Sequence, residues 1–132
     1  MLGMPERVNF PSGAPWEQVV GYSRAVRIGN LIEVSGTIAI DDSGNSTGIG
    51  DPYAQTVDII HIAKRVLENA GSRLEDVVRT RIYVTDISRW EEIGRAHGAY
   101  FGDIKPATSM VEVAALIRPE SMVEMEFTAY AE

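Results

Sequence analysis

Apolar and polar residues alternate from Ser109 to Val113 and again from Met122 to Phe127, the period of half-buried strands. Three earlier segments read the same way: Tyr22 to Ile28, Leu31 to Ile38 and Val77 to Thr85. Gly29-Asn30 makes the first two a hairpin. Arg7 to Phe10 reads as a short edge strand, and Pro11-Ser12-Gly13-Ala14-Pro15 then breaks regular structure. Between the strands the period changes to that of a helix. Asp51 is placed to cap a helix that opens at Pro52, buries Val57, Ile60, Ala63 and Leu67, and ends at Gly71. Asp86 or Ser88 caps a second, through Trp90, Ile93, Ala96, His97 and Phe101 to Gly102.

This order, β-β-α-β-α-β-β, predicts one α+β domain over residues 1–132, with two helices on one face of a mixed sheet. Face parity sharpens the expectation. Val78, Thr80, Ile82 and Val84 should face the helices, with Val77, Arg79, Arg81 and Tyr83 opposite. Val111, Val113, Val123, Met125 and Phe127 should also face the helices, leaving Glu112, Glu124 and Glu126 on the far side. Pro106 forces an extended start to its strand, and Thr108 is expected on the carboxylate face. That mixed face is either solvated and laced with ion pairs to Arg79 and Arg81, or a subunit interface enclosing a polar cleft. Parity alone leaves both readings open.

Composition narrows the function classes. The chain has 132 residues, no cysteine and a net charge of −7, so disulfide and thiolate chemistry are excluded. The charge opposes general affinity for nucleic acid. No apolar run reaches the roughly 20 residues of a membrane span, and Met1 to Arg7 does not read as a secretory signal, so a cytoplasmic location is expected. Met1 and Met4 both qualify as starts.

Several constellations invite chemistry and mostly decline it. Gly44 to Gly50 precedes a helix, but no Lys-Ser/Thr follows and Asp51 would repel an anion. Asp58 and His61 have i, i+3 spacing but lack a third metal ligand. His97 reads as a satisfied core or interface histidine, and no G-x-S-x-G is present. Glu112, Glu124 and Glu126 would suit acid–base work if burial raised one pKa, but ion pairing is the blander reading.

Six stretches carry a resemblance: Gly21-Tyr22-Ser23-Arg24-Ala25-Val26, Gly29 to Gly36, Leu67 to Gly71 with Leu74 to Val78, Tyr83-Val84-Thr85-Asp86, Tyr100-Phe101-Gly102 with Pro106 to Val113, and Val123 to Glu126. In this order and spacing the chain resembles the Rid/YjgF family, often labelled endoribonuclease L-PSP. The resemblance implies a chorismate-mutase-like fold, a homotrimer with small-molecule clefts between subunits, and hydrolysis of reactive enamines and imines without a cofactor. It also implies site residues. Tyr22 matches the cleft tyrosine, Ser35 and Gly36 the pocket lining, and Glu124 the glutamate that positions water. The arginine that clamps a substrate carboxylate is here Thr108. Gly94, His97 and Met110 stand where asparagine, tyrosine and cysteine are common. An arginine-lacking branch is implied, with Arg81 the first substitute and Arg24 or Lys105 the others. A hydrolase of altered specificity is the leading expectation. A non-catalytic ligand-binding or regulatory trimer is the alternative, and an endoribonuclease fits worst.

Overall fold

The computed structural model describes residues 3–132, so the choice of Met1 as start lies outside the described residues. The elements are β1 (Arg7–Phe10), α1 (Pro15–Val20), β2 (Ala25–Ile28), β3 (Leu31–Ile38), α2 (Pro52–Asn69), β4 (Val77–Val84), α3 (Trp90–Phe101), β5 (Ala107–Glu112) and β6 (Val123–Tyr130), with 3-10 turns before β4 and α3. They form a six-stranded mixed sheet in the order β1-β2-β3-β6-β4-β5. Only β4 and β5 are parallel. Their crossover is α3, as parallel pairing requires.

The last strand therefore fills the central slot, between β3 and β4. The apolar halves of these three strands make the floor of the core: Ile32 and Val34, Ile82 and Val84, and Val123, Met125, Phe127 and Ala129. Ile59, Ile60, Ala63 and Leu67 of α2 and Ile93 and Phe101 of α3 close over it. Helix α2 starts as its sequence dictates. Asp51 accepts from Ala54 N at 3.1 Å and Pro52 is the first helical residue. Gly71 (φ 83°) follows its cap residue, Ala70, in the left-handed region.

Three details depart from expectation. A one-residue bulge at the start of β4 turns Val77 into the core and leaves Val78 half-exposed, reversing that pair. The parity of β5 is inverted throughout. Its register pairs Thr108 with Thr80, Met110 with Ile82 and Glu112 with Val84, all on the helix side. Val111 then lies beside Tyr83 on the open face, 46% exposed. The third departure is α1, in a stretch read as a break followed by the strand Tyr22 to Ile28. Ala14 supplies no side-chain cap, which hid the start, but Pro15 at the first position and left-handed Gly21 at the end delimit the helix. The strand itself begins only at Ala25.

One buried polar side chain links α2 to the loop before β6. Gln55 is 1% exposed. It accepts from Met122 N at 2.8 Å and donates to Glu120 O at 3.0 Å and Thr47 O at 3.3 Å. Replacing Gln55 with Leu would leave these backbone groups without their partner. A loss of about 1–3 kcal/mol in urea-induced unfolding is expected for Gln55→Leu, and an unchanged midpoint would show that water can substitute.

Candidate functional site

Strand β3 does not run straight. Its pairing with β6 slips between Val34 and Thr37, so Ser35 and Gly36 together oppose one residue. The bulge is gripped from one side. One guanidinium nitrogen of Arg24, Nη2, donates to Ser35 O and to Gly36 O, each at 2.6 Å. The Ser35 hydroxyl donates to Ser23 O at 2.6 Å, so it is already committed as a donor. The Nε of Arg24 is buried without a partner. Burial lowers the pKa of this guanidinium, and the surrounding Tyr22, Glu17 and Glu124 oppose that shift.

Glu124 of β6 crosses the gap the bulge opens. A Cβ built on Gly36 would overlap Glu124 Oε2, so any larger residue there would push the carboxylate out of its present position. Burial pushes the Glu124 carboxyl above the ordinary carboxylate range. Nearby Glu126 adds to the shift and Arg24 opposes it. Glu126 accepts from the Tyr83 hydroxyl at 2.6 Å. A buried carboxyl held above its ordinary range beside a cleft is suited to proton transfer.

These groups line an open cleft of about 850 Å³. Tyr22, Arg24, Ser35, Gly36, Glu124 and Glu126 lie in its wall, as do Trp16 and Val20 of α1 and Ile117 and Arg118 of the loop before β6. Arg118 sits 5.1 Å over the Trp16 ring and donates to Gly44 O at 2.7 Å, joining α1 to the glycine-rich loop. This aromatic and cationic rim was missed in the sequence. The signal was the Pro15-Trp16 start of α1.

Of the site residues expected from sequence, Tyr22, Ser35, Gly36 and Glu124 come together. Thr108 and Arg81 do not join them within one chain. Thr108 points to the helix side, at the β5 edge, where it meets Thr80 Oγ1 at 2.7 Å. Arg81 is exposed on the open face, in register with Glu126. The expected ion pairs are replaced by other contacts. Among the described residues no pair within 4.0 Å joins Arg79 or Arg81 to Glu112, Glu124 or Glu126. Strand β4 separates β5 from β6, and Glu112 turns away to accept from Ile87 N at 3.0 Å. Of the three candidate substitute cations, Arg24 is the one in the cleft wall.

The remaining candidates are structural. Asp58 accepts from the Thr47 hydroxyl at 2.6 Å, and His61 Nε2 meets the Tyr100 hydroxyl at 2.8 Å. Asp51 occupies the α2 N-terminus that an anion would need. Among the described residues no group of three or more His, Cys, Asp or Glu is placed to hold a metal, and no helix is long and apolar enough to cross a membrane.

Comparison with known proteins places this cleft in context. Residues 13–131 match the family described as Endoribonuclease L-PSP. A RutC family protein of Pyrococcus abyssi is 37% identical over 129 residues, covering 98% of this chain and 100% of its own. The 3-aminoacrylate deaminase RutC of Acinetobacter baylyi is 30% identical over 127 residues, covering 96% and 99%. A crystal structure from Mycobacterium tuberculosis, of a protein assigned to the YjgF/YER057c/UK114 family, superposes with a TM-score of 0.86 at 52% identity, covering 96% of this chain and 100% of that one.

The raised Glu124 pKa has a consequence for stability. The folded state holds this proton more tightly than the unfolded chain. The contribution is therefore full below the unfolded value and is lost as pH rises through the folded one. Glu124→Gln should be more stable than wild type at neutral pH, with the difference vanishing below about pH 4. Paired thermal unfolding curves across pH test this, and a variant less stable at pH 7 would contradict it.

Proposed function

We propose that this chain, which belongs to the Endoribonuclease L-PSP family, also called Rid/YjgF, hydrolyses small enamine- or imine-type metabolites. The observation that carries the reading is the Glu124 carboxyl, half-buried over Gly36 and facing a cleft with Arg24 and Tyr22. A relative named 3-aminoacrylate deaminase acts on an enamine, which supports the same reaction class here.

The chemistry needs little more than such a carboxyl. Protonated Glu124 can deliver a proton to the carbon of an enamine and so convert it to an iminium ion. The resulting carboxylate then takes a proton from water as the water oxygen attacks the C=N carbon. Glu124 then returns that proton to the carbinolamine nitrogen, the C–N bond breaks to release ammonia, and the carboxylate takes the hydroxyl proton as the C=O bond forms, which restores protonated Glu124. The products are a carbonyl compound and ammonia, which becomes ammonium in water. A raised pKa serves both directions of transfer. The positive charge that builds on the substrate nitrogen is met by the ionised carboxylate. Tyr22, and the Ser35 and Gly36 backbone fixed by Arg24, hold the polar end of the substrate.

Specificity is the second part of the proposal. The chain belongs to an arginine-lacking branch, with Thr108 where the clamp would be. Thr108 supplies a hydroxyl and no charge. A charge-assisted hydrogen bond contributes about 1.5–3 kcal/mol, so simple 2-imino acids should be handled roughly ten- to a hundredfold less well. Thr108 meets the Glu124 cleft only if a second copy brings it there. The exposed Leu31, Val111 and Tyr130 on the open face support assembly through that face as a homotrimer. Arg81 lies on the same face and would approach the ligand from the neighbouring copy.

A non-catalytic ligand-binding trimer is the second reading, and the replacement of the clamp by Thr108 favours it. RNA cleavage, the activity in the family's name, fits worst with a net charge of −7.

Freshly generated 2-iminopropionate is the first substrate to test, with wild type, Thr108→Arg and Glu124→Gln side by side. Thr108→Arg is expected to raise hydrolysis about tenfold or more, while Glu124→Gln lowers it by about 10²–10⁴. Glu124→Gln with undiminished turnover sinks the hydrolase reading. Inactivity of wild type and of a folded Thr108→Arg protein supports the ligand-binding trimer.

A further inference from the structure

A polar chain runs through the largely apolar helix side of the sheet. His97 on α3 meets Thr80 of β4, Nε2 to Oγ1, at 2.9 Å. Thr80 Oγ1 meets Thr108 Oγ1 of β5 at 2.7 Å. Thr108 Oγ1 in turn donates to Pro106 O at 3.2 Å. Thr80 is fully buried, whereas Thr108 lies at the exposed edge. A buried threonine hydroxyl costs stability unless it is bonded. Here its two partners join a ring packed on Phe101 to the exposed edge of the sheet.

Proton counting gives this polar chain a direction. Each hydroxyl has one proton. If Thr108 spends its own on the Pro106 carbonyl, it can only accept from Thr80. Thr80 has then spent its proton and must accept from His97. His97 therefore carries a proton on Nε2. The outer link is the longest of the three and the most exposed, so its proton is the easiest to divert.

We infer that His97 and Thr80 are positioning residues that hold Thr108 as a hydrogen-bond donor, aimed at a carbonyl or carboxylate oxygen of the ligand. This rests on the reading that Thr108 meets the ligand. The reverse direction has a different consequence. With the proton on Nδ1, His97 accepts from Thr80, Thr80 accepts from Thr108, and Thr108 offers the ligand only lone pairs. The site would then select an N–H group instead of an oxygen. Burial lowers the His97 pKa, so at mildly alkaline pH the ring is neutral and its tautomer reports the direction.

Two measurements on the intact protein decide the matter, and the first needs no ligand. Long-range ¹H–¹⁵N correlation of the His97 ring at about pH 8 should show Nε2 protonated in wild type. Thr80→Val should relax it toward a mixture of tautomers. A wild-type ring protonated on Nδ1 overturns the inference. The second measurement is binding of pyruvate, a keto acid of the product class. Thr80→Val and Thr108→Val should each weaken it about fivefold to tenfold, and Thr80→Ser should restore it. Thr80→Val protein that is folded and binds pyruvate as wild type does would also overturn the inference. An Nε2–H tautomer without pyruvate binding by wild type would uphold the chain's direction and remove its ligand, and with it the keto-acid reading of the cleft.

Discussion

Strands β3 and β4 are parallel to one another and too far apart to pair, because β6 lies between them with opposite direction. Everything else in the domain follows from that placement. The two helices can close over the sheet only when Val123, Met125 and Phe127 complete its floor. The cleft can form only when the polar half of the same strand supplies Glu124 and Glu126. One alternating strand thus delivers core and carboxylates together, on opposite faces. A residue's face in β6 is not free to change, since a slip by one would put Glu124 into the core.

The cleft also illustrates what burying a carboxyl costs. Burial works against the ionised form of Glu124, and Glu126 works in the same sense. Arg24 moderates this, but its Nη2 is occupied by the carbonyls of Ser35 and Gly36 and its Nε has no partner. The arrangement is less stable than a neutral lining would be, the pattern expected if the proposed proton transfer takes place there.

The strands with a clear apolar side were legible from sequence. β3, β4 and β6 each have one face of aliphatic residues, and their parity follows except where a bulge intervenes at Val77. β5 was not legible. Its own alternation, Ser109-Met110-Val111-Glu112-Val113, puts aliphatics on both faces, and the register with Thr80 decided the matter. Edge strands are read through their partner, and one sequence does not state the pairing. The same inversion separated Thr108 from Glu124, which had been expected on one face. Tyr22, Ser35, Gly36 and Glu124 were expected through family resemblance and do line one cleft, whereas Trp16, Val20 and Arg118 needed the fold to be seen there. The short helix that carries two of them lacks a capping side chain and has only Pro15 and Gly21 as punctuation.

The bulge at Ser35–Gly36 is a single extra residue in an otherwise regular ladder. Deleting Gly36 would let Ser35 pair alone with Glu126 and leave Val34 opposite Phe127 and Thr37 opposite Met125, as they are now. No core residue would change sides. The space under Glu124 would go, but the sheet would remain. The room for the Glu124 carboxylate therefore depends on a single residue that the ladder itself does not require, so this corner of the cleft can change in one codon-length step while the fold stays as it is.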